Sequence, residues 1–202
     1  MILYTWKNVA NNMQSTTVSD ELTQYLIRIG EGDAEASRLA FPYIYTELQR
    51  VARSVRFQFH GVDTLNTTAI IHEAYLKLSN TDNRWQSSSH FYCVAAKAMR
   101  QVLLNAARAK NSDKRGGEVQ HTSLDGLHDL ITLSPETSEK LIDFEDLLQQ
   151  LEQQDILYGR IVECRFFAGM SIDDTAEALQ VSPATIKRKW QLARNWLYIH
   201  LS

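Results

Sequence analysis

Apolar residues recur at helical spacing along almost the whole chain, and this periodicity constrains the fold more than any other feature of the sequence. In residues 67–78, for example, the apolar positions fall on one helical face: Ile70, Ile71, Ala74, Tyr75 and Leu78. Glycine (8 residues) and proline (3 residues) are scarce, which disfavours turn-rich all-β folds and low-complexity disorder. A chain of 202 residues with 44% hydrophobic residues can bury a core, so the sequence predicts an all-α protein.

Capping residues divide the periodic pattern into separate helices. Ser19 and Asp33 can cap the first two helices, and Pro42 is expected to kink or restart the second. A third helix is predicted over residues 67–78 and a long fourth helix over about residues 89–111. The second helix is expected to present its apolar positions on one face: Leu39, Tyr43, Ile44, Leu48, Val51 and Val55.

The stretch after the fourth helix is the best candidate for a linker, because it opens with charged residues and two glycines. Ser134 and Pro135 then start a new helix, with the serine as its cap and the proline in its first turn. Four helices close the chain. The predicted organisation is a flexible tail (1–18), a helical domain (19–112), a flexible linker (113–133) and a second small helical domain (134–202).

Charge is segregated along the chain, although the net charge is only −3. Residues 97–115 carry six basic side chains and one acidic one, and residues 181–202 carry four basic side chains and no acidic one. Between them, residues 136–155 carry seven acidic side chains and one lysine, and this acidic stretch can fold back on the last helix. Two basic islands indicate two contacts with a polyanion, although a basic helix face can also be simply solvated.

The C-terminal segment follows the pattern of a helix-turn-helix. Ser171 can cap a short helix, a turn follows near Val181, and Ser182 and Pro183 open the last helix. The apolar face of the last helix is predicted to be buried: Ile186, Trp190, Ala193 and Leu197. The other side carries the candidate DNA-contacting residues Ala184, Thr185, Lys187, Arg188, Gln191 and Arg194. Arginine and glutamine can pair with base edges in the major groove, whereas a plain helical hairpin with a solvated basic face is the alternative.

The fourth helix carries a second basic stripe, opposite an apolar face. Its candidate DNA-facing residues fall in one sector of the helix: His90, Lys97, Arg100, Gln101 and Arg108. Trp85 lies just before this helix and Tyr92 lies within it. Unpaired bases can stack on aromatic rings while their phosphates meet the cations, so both rings are candidates for binding single-stranded DNA. Ordinary core packing is the alternative for each ring.

Several other kinds of site have no signal in the sequence. Cys93 and Cys164 are far apart and form no CxxC pair, which excludes a disulfide scaffold or a zinc ribbon and fits a reducing cytoplasm. His72 and Glu73 lack the second histidine of a zinc protease motif, because Leu76 stands at that position. The chain has no phosphate-binding GxxxxGK loop and no run of 18 apolar residues. We therefore expect a cytoplasmic protein that is not an enzyme, with no cofactor, metal or membrane contact.

Spaced phrases along residues 20–202 resemble the extracytoplasmic-function (ECF) sigma factors, the minimal form of the bacterial sigma-70 family. The phrases are YIYTELQRVA (43–52), HEAYLKL (72–78), HF (90–91), AMR (98–100), KRGG (114–117) and RFFAGMS (165–171). The resemblance implies a sigma-2-like domain that binds the β′ clamp helices of core RNA polymerase and opens the −10 promoter element. It also implies a sigma-4-like domain that recognises the −35 element through its helix-turn-helix and contacts the β flap.

The resemblance also assigns roles by position. His72, Glu73 and Tyr75 would lie on the polymerase-binding face, the fourth helix and the loop before it would face the −10 DNA, and the last helix would face the −35 DNA. Both basic islands fall on these DNA-facing helices. The alternative function is a free-standing helix-turn-helix transcriptional regulator with an N-terminal sensor, and a helical adaptor protein is a third class. Neither alternative requires a basic helix beside an aromatic loop.

Thr67 and Thr68 mark a departure from the family pattern. Typical ECF sigma factors carry acidic residues shortly before the glutamate that corresponds to Glu73, and Thr68 and Ala69 stand there in this chain. Phosphorylation would add about −1.5 to −2 charges, so Thr67 and Thr68 are candidate modification sites for a Ser/Thr kinase. An anti-sigma factor is the other expected regulatory partner. A less acidic interface, or a helix-capping role for either threonine, would also explain the difference.

Overall fold

A computed structural model describes residues 16–58, 67–79, 85–114 and 133–201 of the chain. These residues form eight α-helices and no strand: α1 (Thr16–Gly30), α2 (Ala34–Gln58), α3 (Thr67–Ser79), α4 (Ser88–Lys114), α5 (Pro135–Gln154), α6 (Ile156–Val162), α7 (Ile172–Leu179) and α8 (Pro183–His200). A π-helical turn, Glu163–Phe167, continues α6. The predicted all-α fold is confirmed. Within the described residues, no helix is both long enough and apolar enough to cross a membrane.

The helix starts follow the predicted caps, with one exception. Asp33 Oδ1 accepts hydrogen bonds from the backbone N–H groups of Glu35 (2.9 Å) and Ala36 (3.0 Å), which satisfies two free donors of α2. Ser134 Oγ accepts from the N–H of the third residue of α5 in the same way, at 3.1 Å. Helix α1 begins at Thr16, three residues before the predicted cap. Helix α2 continues through Pro42 as one element, so the proline does not restart it.

Helix α4 lies at the centre of the molecule. It packs against α1, α2 and α3 on one side and against α5, the π turn and α7 on the other. The apolar face predicted opposite its basic stripe is buried, and Met99, Leu103 and Ala107 are buried as well. That face consists of Phe91, Ala95, Ala98, Val102 and Ala106. Because neighbouring helices surround α4, its basic side is partly covered too.

The two predicted domains share one continuous apolar core. Phe144 of α5 packs on Phe166 and Phe167 of the π turn, with ring centroids 5.2 and 5.6 Å apart. These rings belong to the same buried cluster as the core of α1–α4, and a smaller second cluster lies within the helix-turn-helix. The two halves therefore pack against each other in this structure. Most of the predicted linker, residues 115–132, lies outside the described residues, as do residues 1–15 of the predicted tail.

The two cysteines meet where the halves join. Cys93 of α4 and Cys164 of the π turn form a disulfide, with their Cα atoms 4.9 Å apart. The sequence predicted no disulfide scaffold, and it did not anticipate this single pair. The packing of α4 against the π turn brings together two residues that are 71 positions apart in the chain.

Two residues assigned to apolar faces are exposed instead. Leu39 of α2 is 41% exposed and Tyr75 of α3 is 38% exposed, whereas Ile44, Leu48 and Ile71 beside them are buried. Tyr75 lies at the edge of the apolar stripe of α3, where helical periodicity does not distinguish a core position from a surface one. Leu39 lies on the side of α2 away from Ile44 and Leu48, so its assignment to the apolar face was wrong.

Replacing Phe144 with alanine is expected to lower the free energy of unfolding by about 3–5 kcal/mol, because it removes the ring on which Phe166 and Phe167 pack. Urea denaturation followed by circular dichroism measures this change. Leu192→Ala is the matched control, since Leu192 is 53% exposed and its loss should change stability by no more than about 0.5 kcal/mol. Equal effects of the two substitutions would contradict the placement of Phe144 in a shared core.

Candidate nucleic-acid interface

The helix-turn-helix is built by three local devices. Ser171 and Asp174 form a capping box at the start of α7: Ser171 Oγ accepts from the N–H of Asp174 (3.0 Å), and Asp174 Oδ2 accepts from the N–H of Ser171 (3.1 Å). Gln180 ends α7 in the left-handed region, with φ of 54°. Ser182 Oγ then accepts from the N–H of Thr185 (3.3 Å) and caps α8. The predicted turn between α7 and α8 is therefore present.

Helix α8 has one buried face and one exposed basic face. Ile186, Ala193 and Leu197 are fully buried, and Trp190 is half-buried, with the Arg165 guanidinium 5.6 Å from its ring centroid. Thr185 is half-buried. The other predicted DNA-contacting residues of this helix are all exposed: Ala184, Lys187, Arg188, Gln191 and Arg194.

Lys189 points away from this exposed face. Its Nζ lies 2.5 Å from Asp155 Oδ2 and 4.6 Å from the centroid of the Tyr158 ring. The hydrogen bond from Lys189, together with one from the backbone of Leu157, lowers the pKa of Asp155. Lys189 therefore anchors α8 to the start of α6. Among the described residues, Lys189 and Asp155 form an ion pair between the acidic stretch and the last helix.

The residues predicted on the basic stripe of α4 divide into exposed and covered groups. Lys97, Gln101 and Arg108 are exposed, and His90 is half-buried. Burial lowers the pKa of His90, and the positive charge of Arg160 lowers it further, so the neutral imidazole is favoured. The exposed side chains of Lys97, Gln101 and Arg108 can contact DNA phosphates without any rearrangement of the protein.

Trp85 and Tyr92 are core residues in this conformation. The Trp85 ring packs edge-on against Phe91, with centroids 5.3 Å apart. Tyr92 lies beneath the Arg50 guanidinium, 5.0 Å from its ring centroid, and burial raises the pKa of its hydroxyl. Neither ring is presented to solvent here, so base stacking by these residues stays a prediction.

Arg100 is the basic residue of α4 that differs most from expectation. It is buried, and its guanidinium forms ion pairs with Glu145 of α5 and with Glu163 of the π turn, the latter at 2.7 Å. Burial alone would lower the pKa of Arg100, but the two carboxylates outweigh it and raise the pKa. In this conformation Arg100 contacts the acidic stretch and does not face solvent.

An apolar groove between α2 and α3 was not predicted as such. Its volume is about 320 Å³, and it is lined by Phe41, Ile44, Tyr45, Leu48, Ile71, His72, Tyr75 and Leu76. His72 and Tyr75, predicted on the polymerase-binding face, lie on this groove. Glu73 does not line the groove, because its side chain is buried. The Oε1 atom of Glu73 has no hydrogen-bond partner among the described residues. The aromatic pair at positions 41 and 45, one helical turn apart, was the available signal for the groove.

Thr67 and Thr68 are the first two residues of α3, and later residues of this helix line the groove. Thr67 is half-buried and Thr68 is exposed, and the first turn of α3 carries no acidic residue. Among the described residues, no group of three or more His, Cys, Asp or Glu side chains is placed to hold a metal ion.

Residues 19–202 match the protein family described as ECF sigma factor, and the chain belongs to this family. Proteins of this family are RNA polymerase sigma factors, which bind DNA and act in transcription initiation, and they are not enzymes. The match confirms the resemblance found in the sequence phrases. No curated protein and no solved structure matches the chain significantly.

Replacing Arg100 with methionine is expected to lower the free energy of unfolding by about 3–5 kcal/mol, because it leaves Glu145 and Glu163 close together and without their cation. Gln101→Met is the matched control, since the neighbouring side chain is exposed on the same helix. Urea denaturation of the two variants measures the difference. Indistinguishable midpoints would show that the Arg100 ion pairs do not hold α5 and the π turn on α4.

Proposed function

We propose that this sigma factor recognises the −35 promoter element with the exposed face of α8. The observation that carries the proposal is the row of Lys187, Arg188 and Gln191, which stands opposite the buried stripe of a capped helix-turn-helix. Arg188 and Gln191 can each make paired hydrogen bonds to base edges, and Lys187 can neutralise a phosphate. Ala184, Thr185 and Arg194 flank this row and would contact the adjacent backbone or bases.

The −10 element is proposed to contact α4 through its exposed basic residues, Lys97, Gln101 and Arg108, with His90 at the start of the helix. Arg100 joins this stripe once α5 and the π turn move away from α4. Trp85 and Tyr92 pack against Phe91 and Arg50, so their contact with melted bases requires a local rearrangement of the loop before α4.

Core RNA polymerase is proposed to bind the groove between α2 and α3. A groove of exposed apolar side chains suits an amphipathic helix, and the clamp helices of the β′ subunit are such a partner. His72 and Tyr75 line the groove beside Phe41, Tyr45 and Leu76. The C-terminal helices would contact the β flap while α8 lies on the −35 DNA, in the cytoplasm where polymerase acts.

Transcription with purified core RNA polymerase tests this function. The chain is expected to convert core enzyme to promoter-dependent initiation, whereas a free-standing regulator does not. Arg188→Ala should weaken promoter use by about 1–3 kcal/mol and relax the preference at one −35 base pair. Lys189→Ala is the control on the buried side of the helix and should lower promoter use with no change of base preference. Identical base-substitution profiles for the two variants would contradict the assignment of the recognition face.

We further propose that phosphorylation of Thr67 or Thr68 by a Ser/Thr kinase strengthens polymerase binding, with an anti-sigma factor as the other regulatory partner. A phosphate there would supply the negative charge that the first turn of α3 lacks. Thr67→Glu and Thr68→Glu should then bind core polymerase more tightly than wild type and the double alanine variant, as measured by fluorescence anisotropy. Equal affinities, with no phosphate on either threonine in protein from cells, would rule this out.

A further inference from the structure

The two cysteines of the chain lie on opposite sides of the contact between its two halves. Cys93 belongs to α4, which carries the proposed −10 contacts, and Cys164 belongs to the π turn that leads into the helix-turn-helix. Their Cα atoms are 4.9 Å apart, within the range that a disulfide spans. Cys164 is fully buried and Cys93 is 7% exposed. Oxidation of this pair therefore joins α4 covalently to the C-terminal half.

Polar contacts between the two halves surround the cysteine pair. Arg100 pairs with Glu163, the residue next to Cys164. On the α7 side, Ser89 Oγ donates to Glu177 Oε2 (3.2 Å) and Gln180 Nε2 donates to Gln86 Oε1 (2.8 Å). These contacts hold the start of α4 against the helix-turn-helix and keep Arg100 covered. A covalent bond between the two cysteines, at the centre of these contacts, would keep the contacts formed.

A cavity of about 380 Å³ gives small molecules a route to the pair. Both cysteines line it, together with Lys97 and Arg160, whose side chains are exposed. Glu163 also lines the cavity and is paired with Arg100, which it shares with Glu145. Lys97, which also acts on the Glu152 carboxylate, and Arg160 are the cations on the wall of this cavity that an anionic reagent can contact. Low-molecular-weight thiols that carry carboxylates, such as glutathione, have this chemistry.

We propose that Cys93 and Cys164 are a redox modification site that switches the chain between a locked closed form and an open form. In the oxidising direction the two thiols lose two electrons and two protons as the S–S bond forms, and hydrogen peroxide takes them up and becomes two water molecules. In the reducing direction one anionic thiol attacks a cysteine sulfur and forms a mixed disulfide. A second anionic thiol then displaces the remaining cysteine, so that two cysteine thiols and one small-molecule disulfide result.

The disulfide acts on the equilibrium between the closed and open forms. It closes a loop of 71 residues, and a crosslink of this kind favours the linked arrangement by roughly 30-fold or more. In the closed form Arg100 is paired with Glu145 and Glu163, and the distance between α4 and α8 is fixed. The effect on transcription rests on the function proposed above, whereas the effect on the closed contact does not.

The experiment compares full-length protein oxidised with hydrogen peroxide and reduced with glutathione, beside the Cys93→Ser and Cys164→Ser variants. Peptide mass spectrometry without reductant is expected to find the Cys93–Cys164 crosslink in oxidised wild type alone. Hydrogen exchange of the α5 amides should be slower in the oxidised protein. Promoter-dependent transcription with core polymerase should fall at least about tenfold on oxidation and recover with glutathione. Both serine variants should be insensitive to peroxide.

Three results would overturn the proposal: no intramolecular crosslink, a crosslink that leaves hydrogen exchange and transcription unchanged, or equal inhibition of the serine variants by peroxide. If a serine variant does not fold, the two redox states of wild type still decide the question. Failure of the reduced protein to support transcription would count against the proposed sigma function instead. The crosslink and hydrogen-exchange results would in that case still test the locked closed form.

Discussion

Arg100 carries a positive charge into the interior of the protein, between two carboxylates that come from different helices. A buried charge costs several kcal/mol unless it is paired, so Arg100 needs a carboxylate when α4 is covered, and Glu145 and Glu163 each supply one. This requirement fixes α5 and the π turn relative to α4. The shared apolar core, the cysteine pair and the position of the helix-turn-helix all follow from that arrangement.

The π turn explains how one short segment meets α4 with so many side chains. The N–H of Ala168 donates to the carbonyl of Glu163 at 3.0 Å, one residue farther back than in an α-helix. Of the five residues in the turn, four are buried: Glu163, Cys164, Phe166 and Phe167. An uninterrupted α-helix would turn some of these side chains away from α4. Nothing in the residue types marks a π turn, so the sequence alone does not distinguish this segment from a plain helix.

Features set by neighbouring residues could be predicted from the sequence, whereas those set by distant contacts could not. The caps at Asp33, Ser134, Ser171 and Ser182 depend on residues a few positions apart, and they are confirmed. The buried face of α8 is also confirmed, except that Trp190 is half-buried. The covering of Arg100 depends on residues 45 and 63 positions away, which helical periodicity on one segment does not reveal. The segregated charge was a usable signal, since an acidic stretch of −6 needs a basic surface. Its ion pairs go to both basic islands: Glu145 pairs with Arg100 of α4, and Asp155 pairs with Lys189 of the last helix.

The closed arrangement sets an energetic condition on promoter recognition. Under the proposed function, Arg100 can pair with Glu145 and Glu163 or with promoter DNA, but not with both at once. Uncovering it also exposes the rings of Phe144, Phe166 and Phe167, which pack in the shared core. DNA phosphates offset the lost ion pairs but not the lost apolar burial. A second surface has to compensate for that loss, and the groove between α2 and α3 remains free to bind polymerase in the closed form. Under the proposed function, α4 would couple polymerase binding to promoter recognition, because it contacts the helices of the groove on one side and the acidic helix α5 on the other.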